Sequence, residues 1–148
     1  KQWGEAVAGQ VIIITSEKRV YAPEERIVLK VCLRNVGPRD VMVLHNTDPL
    51  AFNRPRVSFS DGKAVPRTLY GQGRGGDSYA TYVAALKPRA ELCHYISLSR
   101  LFDFSRAGKY TVSVTRHVLK DDGALLATSN VLELTVDDSL APNRILAD

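Results

Sequence analysis

The sequence predicts an all-β fold, an immunoglobulin-like antiparallel β-sandwich of about seven to nine strands. Three observations carry this. Short alternating runs are broken by Gly, Pro, Asn and Asp, and no segment keeps a helical period for three turns. The run Asp103-Phe-Ser-Arg-Ala-Gly-Lys-Tyr-Thr-Val112 reads as a tight corner that ends at Gly108 and opens into a strand headed by Tyr110, the layout of a tyrosine corner. Finally, 148 residues suffice for one domain whose core needs no staples.

Each element has its own reason. Residues 10–16 are dense in β-branched side chains and read as a first strand. Residues 17–25 read as a polar turn around Pro23. Residues 26–35 give the cleanest alternation: Ile27, Leu29, Val31 and Leu33 point one way, and Val28, Lys30, Cys32 and Arg34 the other. Gly37-Pro38 breaks the chain. Residues 41–44 are apolar on both faces and are expected in mid-sheet.

Residues 46–55 are irregular. Asp61-Gly62 between residues 56–60 and 63–69 signals a hairpin, with Pro66 marking an edge arm. Residues 71–77 form a glycine-rich loop. Residues 78–86 and 90–98 follow as strands, and 99–108 form the corner. Residues 109–119 and 128–136 are the last strands, joined through Asp121-Asp-Gly123. The expected organisation is a sandwich over 1–136, with 1–9 as an N-terminal arm, and a tail over 137–148. The expected core comprises Ile12, Ile14, Ile27, Leu29, Val31, Leu33, Val43, Leu92, Ile96, Leu98, Tyr110, Val112, Val114, Leu132 and Leu134.

A net charge of +4 is too small to argue for nucleic acid, and no apolar run approaches a membrane span. Basic residues gather in the middle, with Arg54, Arg56, Arg67 and Arg74 as candidate binding residues for an acidic partner or a glycan; the plainer reading is a solvated face. The two cysteines, Cys32 and Cys93, allow one disulfide or none. In an immunoglobulin-like topology their strands are neighbours, and alternation turns both away from the core, so a cross-strand bond is a candidate.

Chemistry has little foothold. Gly71-Gln-Gly-Arg-Gly-Gly76 has the letters of a nucleotide fingerprint but no helix pattern after it. His45, His94 and His117 are far apart, and nothing in their spacing shows that they converge, with Asp48 or Asp103, on a metal. No nucleophile elbow and no zinc-binding helix is present. Neither catalytic residues nor a metal nor a cofactor is expected. Asp103, Gly108 and Tyr110 are read as structural, with the Tyr110 hydroxyl satisfied by main chain near Phe104 or Ser105.

Taken in order, Leu29-Lys-Val-Cys-Leu-Arg-Asn35, Val43-Leu-His-Asn-Thr-Asp-Pro-Leu50, Asp61-Gly-Lys-Ala-Val65, Leu86-Lys-Pro88 and the Asp-Phe-Ser-x-x-Gly-x-Tyr run at 103–110 carry a resemblance. Over roughly residues 28–114 the chain resembles the non-catalytic N-terminal domain of deuterolysin-like (aspzincin) metalloendopeptidases and related secreted bacterial sandwich modules. The resemblance implies an accessory or pro-region-like sandwich, stand-alone or excised. With no zinc motif after Val136, it carries over no peptidase residue.

The expected function is therefore a non-enzymatic, secreted or periplasmic accessory module. Its partner would be a protein or surface polymer, with no nucleic acid and no membrane span. The chain opens at Lys1 without methionine, and a signal peptide is expected to have been removed. The alternative is a proteinase inhibitor or folding assistant acting through an exposed loop, at residues 46–56 or 71–77.

Overall fold

A computed structural model describes residues 3–73, 82–121 and 123–140. Among these residues, ten strands and two short helices run in the order β1 (Gln10–Ser16), β2 (Val20–Tyr21), β3 (Val28–Asn35), β4 (Val41–His45), β5 (Arg54–Phe59), α1 (Leu69–Gln72), β6 (Tyr82–Leu86), β7 (Glu91–Ser97), α2 (Leu98–Leu101), β8 (Gly108–Lys120), β9 (Gly123–Thr128) and β10 (Leu132–Val136). One layer is the antiparallel sheet β1-β3-β7. The other has the order β2-β10-β8-β5, with β9 also paired to β8. Strands β4 and β6 form a separate two-stranded sheet.

The alternation dictates the packing. Ile12, Ile14, Leu29, Val31, Leu33 and Ile96 from one layer meet Val57, Tyr110, Val112, Val114, Leu132 and Leu134 from the other in one buried cluster. The fold is an immunoglobulin-like β-sandwich. Of the expected core, Leu92 is half-buried and packs against the cluster; the remainder is buried. Tyr21, Val65, Leu86, Phe102, Phe104 and Val118 join it.

The corner closes as the sequence implies. The Tyr110 hydroxyl donates to the main-chain oxygen of Arg106, one residue beyond the expected acceptors. Phe59 and Phe104 flank its ring at 5.4 and 4.8 Å between centroids. Gly108 starts β8 at φ +135°, where a side chain is disfavoured. The Ser105 side chain, and then its amide at 2.9 Å, donate to Asp103 and hold its carboxyl below the usual range.

Four expectations are corrected. Strand β4 is not in mid-sheet: among the described residues it pairs only with β6, and Met42 is exposed. Its apolar character comes from covering one end of the sandwich with Val43. The return arm of the Asp61-Gly62 turn is not a strand. Against β5 it makes the isolated bridge Ala64–Ser58, with the Phe59 amide donating to Lys63 O at 2.8 Å and the Val65 amide to Val57 O at 3.0 Å. From Pro66 on, the main chain turns to residues 101–103 instead, Pro66 O accepting from the Asp103 amide and the Thr68 amide donating to Leu101 O, both at 2.9 Å.

Residues 128–136 are not one strand. Between β9 and β10, the Ser129 hydroxyl accepts from the Val114 amide and the Asn130 amide group bonds both main-chain groups of Ile14. These side chains replace the ladder and tie the two layers together. Finally, the polar turn at 17–25 contains β2, which runs parallel to β10.

The amide of Gly4 donates to Ile12 O at 3.0 Å, so the segment before β1 lies along the sheet. Among the described residues, no helix is long and apolar enough to cross a membrane.

Candidate functional site

A depression of about 370 Å³ opens where loop 46–53, both helices and the end of β7 meet. Thr47, Asp48, Pro49 and Leu50 make one wall. Tyr70 of α1 and Arg100 of α2 face them, and Tyr95 and Ser97 of β7 supply the floor. The Arg100 guanidinium stacks on the Tyr70 ring at 4.4 Å. Tyr95 is 62% exposed.

Local chemistry builds each wall. Thr68 caps α1, its hydroxyl accepting from the Gly71 amide at 3.0 Å and donating to Arg100 O. Gly71 sits directly on α2: a Cβ there would lie 2.1 Å from Leu101 O. The loop is a chain of side-chain turns. Asn46 Oδ1 accepts from the Asp48 amide and Asp48 Oδ1 from the Leu50 amide, both at 2.8 Å. Asn53 Nδ2 donates to Pro49 O at 2.9 Å.

Behind the loop lies a polar cluster in which Arg116 is buried and His45 and His94 are half-buried. His94 Nε2 is 3.0 Å from Asn46 O. Arg116 donates through Nη2 to Leu44 O and lies 5.5 Å over the Phe52 ring. Arg116 is 2% exposed, and among the described residues no carboxylate lies within ion-pair distance of it. Burial pulls its pKa down to about 10, so it stays charged at neutral pH. Burial likewise lowers the His94 pKa, against the raising effect of its bond to Asn46; the nearby charges of Arg116 and His45 add to the lowering. Nε of Arg116 and Nδ1 of His45 are buried without a partner. This arrangement anchors the loop from within the sandwich.

The residues singled out in the sequence are distributed as follows. Arg54 and Arg56 are exposed on one side of β5, opposite Thr115 and Ser113 of β8. Arg67 does not join them: it bridges to Phe102, stacks on that ring at 5.0 Å and reaches Gly71 O at 3.4 Å. Arg74 lies outside the described residues, as does part of the glycine-rich loop; Gly71 and Gln72 belong to α1 instead. Cys32 and Cys93 are directly opposite on β3 and β7 and form a disulfide, S–S 2.11 Å. With Glu91 they are the only grouping of potential metal ligands among the described residues, but both sulfurs are bonded to each other.

His45 and His94 come within 6.0 Å, while His117 is exposed on β8. The sequence reading missed Arg116, yet its signal was present. It occupies the inward position between Val114 and Val118 in a strand whose other inward residues are apolar. Tyr70 and Arg100 come together only through the contact of two four-residue helices, for which no periodic pattern exists.

No protein-family model matches the sequence, and no curated protein is similar to it. Solved structures do share its fold. The C-terminal domain of wzt superposes with a TM-score of 0.52 at 16% identity, over 93% of this chain and 78% of that one. The CARDB domain of the PF1109 protein from Pyrococcus furiosus, solved with di-metal ions, gives 0.44 at 13% identity over 86% and 87%. A chain of the human seminal-plasma complex between Zinc 2-glycoprotein and Prolactin inducible protein gives 0.46 at 10%, over 85% and 93%. At 16% identity the likeness to the wzt domain is one of fold alone.

Proposed function

We propose that this chain is a non-enzymatic accessory module that holds a protein or surface polymer in the depression between loop 46–53 and the two short helices. The observation that carries this reading is the lining itself. It combines the exposed Tyr95, a stacked Tyr70–Arg100 pair and the exposed Thr47, with no histidine or cysteine among the residues that line it. Aromatic faces with a few convergent polar groups suit recognition, and acid–base chemistry needs a titratable pair within hydrogen-bond reach. The two histidines near the site are turned into the sandwich, one of them bonded to main chain.

The Cys32–Cys93 disulfide supports export to a secreted or periplasmic location, since such bonds persist in oxidising compartments. The resemblance to the non-catalytic domain of deuterolysin-like peptidases supports the same accessory role. The alternative, a proteinase inhibitor or folding assistant inserting a loop, is less favoured. Loop 46–53 is folded on itself by its own side-chain turns, and its first residue is held to β7 through the His94–Asn46 O contact.

The test is binding of purified protein to defined polysaccharides and purified proteins, alongside a hydrolase panel. Binding that is lost in Arg100→Ala and Tyr70→Ala but kept after charge reversal at Arg54 and Arg56 supports the pocket. The opposite pattern moves the site to the basic strand β5, and hydrolytic turnover would sink the non-enzymatic reading.

A further inference from the structure

A second depression, of about 250 Å³, adjoins the first on the outer face of sheet β1-β3-β7. It is lined by Thr15, Ser16, Glu17, Val28, Lys30 and Tyr95. Tyr95 is common to both depressions and forms the ridge between them. The register explains the alignment: Thr15 is opposite Lys30, and Lys30 opposite Tyr95, so three outward side chains form one row across three strands. Two strand spacings make that row roughly 10 Å long. Neither Lys30 nor Tyr95 is engaged in a side-chain hydrogen bond, ion pair or ring contact among the described residues. The disulfide lies one row along the same face and fixes the register of β3 against β7.

We propose that the two depressions are neighbouring subsites for a linear neutral saccharide whose chain crosses the Tyr95 ring. This rests on the binding-module reading above and names its ligand class. Each depression is lined by one cation and one carboxylate, Lys30 and Glu17 in one and Arg100 and Asp48 in the other, together with hydroxyl-bearing residues. Such a balanced set of donors and acceptors matches sugar hydroxyls without selecting a charged ligand. The apolar C–H face of a sugar ring suits the open tyrosine, which offers a rigid apolar surface and a polar tip. An extended peptide is served worse. The row crosses the strands, and the main chain of β3 is paired on both sides, so strand addition is unavailable along it.

Calorimetric titration with neutral β-linked gluco-oligosaccharides of two, four and six units tests the proposal, with oligogalacturonate and hexaglutamate of matching length as charged and peptide controls. The expected result is an affinity rising about tenfold or more from two to four units, roughly 1.4 kcal/mol. Lys30→Ala removes that gain while sparing the short ligand, Tyr95→Ala abolishes binding and Tyr95→Phe keeps it. Saccharide binding without length dependence, or unmoved by Lys30→Ala, overturns the second subsite and leaves the binding module standing. Preference for oligogalacturonate overturns the neutral class, and binding of hexaglutamate alone overturns the saccharide. If no saccharide binds at millimolar concentration, the proposal is wrong, whatever partner the first depression takes.

Discussion

Nε2 of His94 lies 3.0 Å from the main-chain oxygen of Asn46, so strand β7 holds the loop that walls the proposed site. The histidine is kept neutral by burial and by the charges of Arg116 and His45, with Asp48 the one carboxylate that acts the other way. Its folded pKa is depressed, so the unfolded chain binds more protons in the window between the two pKa values. Its contribution to stability is therefore complete above about pH 6.5 and is lost as pH falls through the folded value. Urea midpoints measured across this range should decline on acidification, and His94→Gln should flatten that limb. An unchanged limb in the variant would assign the acid sensitivity elsewhere.

Arg116 makes a second prediction. A buried guanidinium with one main-chain acceptor and one aromatic ring gains less than a paired one, and its desolvation is a standing cost. Arg116→Met fills similar space without the charge. The variant should be as stable as the parent or more so, while the amides of Asp48 and Leu50 exchange faster because Leu44 has lost its donor. A fall in stability of 3 kcal/mol or more, the size expected for breaking a buried pair, would show that the contacts outweigh the desolvation.

The fold was legible where period and turn chemistry agree. Ile27 to Leu33 alternate strictly, and the corner from Asp103 to Tyr110 has a local motif, so both were placed from sequence. The site was not, because its parts are set by tertiary contact. Tyr70 meets Arg100 only when Gly71 lies against Leu101, and Tyr95 meets Lys30 only in the β3–β7 register. Clustered arginines drew attention to β5, yet the charge that organises the loop is the single arginine inside an apolar strand face. Departures from a pattern were the better signal than accumulations of charge.

Tyr110→Phe should cost about 1 kcal/mol or somewhat more, because Arg106 O loses its donor while the ring remains packed between Phe59 and Phe104. Chemical denaturation measures this directly. A negligible difference would mean that solvent replaces the hydroxyl without loss, and that the corner is held by the rings alone.

The Cys32–Cys93 bond closes a separation of 61 residues. Chain-entropy arguments put its stabilisation at about 2–4 kcal/mol. Replacing both residues by serine should lower the denaturation midpoint by that order, and reducing agent should reproduce the effect in the parent but not in the variant. Equal sensitivity of both proteins to reductant would point to another cause.

Gly71→Ala tests how the wall of the depression is held. The added methyl would meet the main-chain oxygen of Leu101 at 2.1 Å, and that oxygen already accepts from the Thr68 amide at 2.9 Å. Main chain cannot step aside as a flexible side chain would, so the helices must separate. Overpacking of this kind costs about 1–3 kcal/mol. Because Tyr70 adjoins Gly71, the separation also pulls its ring from beneath Arg100. The variant should therefore melt lower and bind its ligand more weakly. Gly73→Ala, at the end of the same helix, meets only Tyr70 O at 3.6 Å and should leave both nearly unchanged. If Gly71→Ala melts like the parent, α1 does not rest on α2, and the Tyr70–Arg100 pair is not a fixed part of the site.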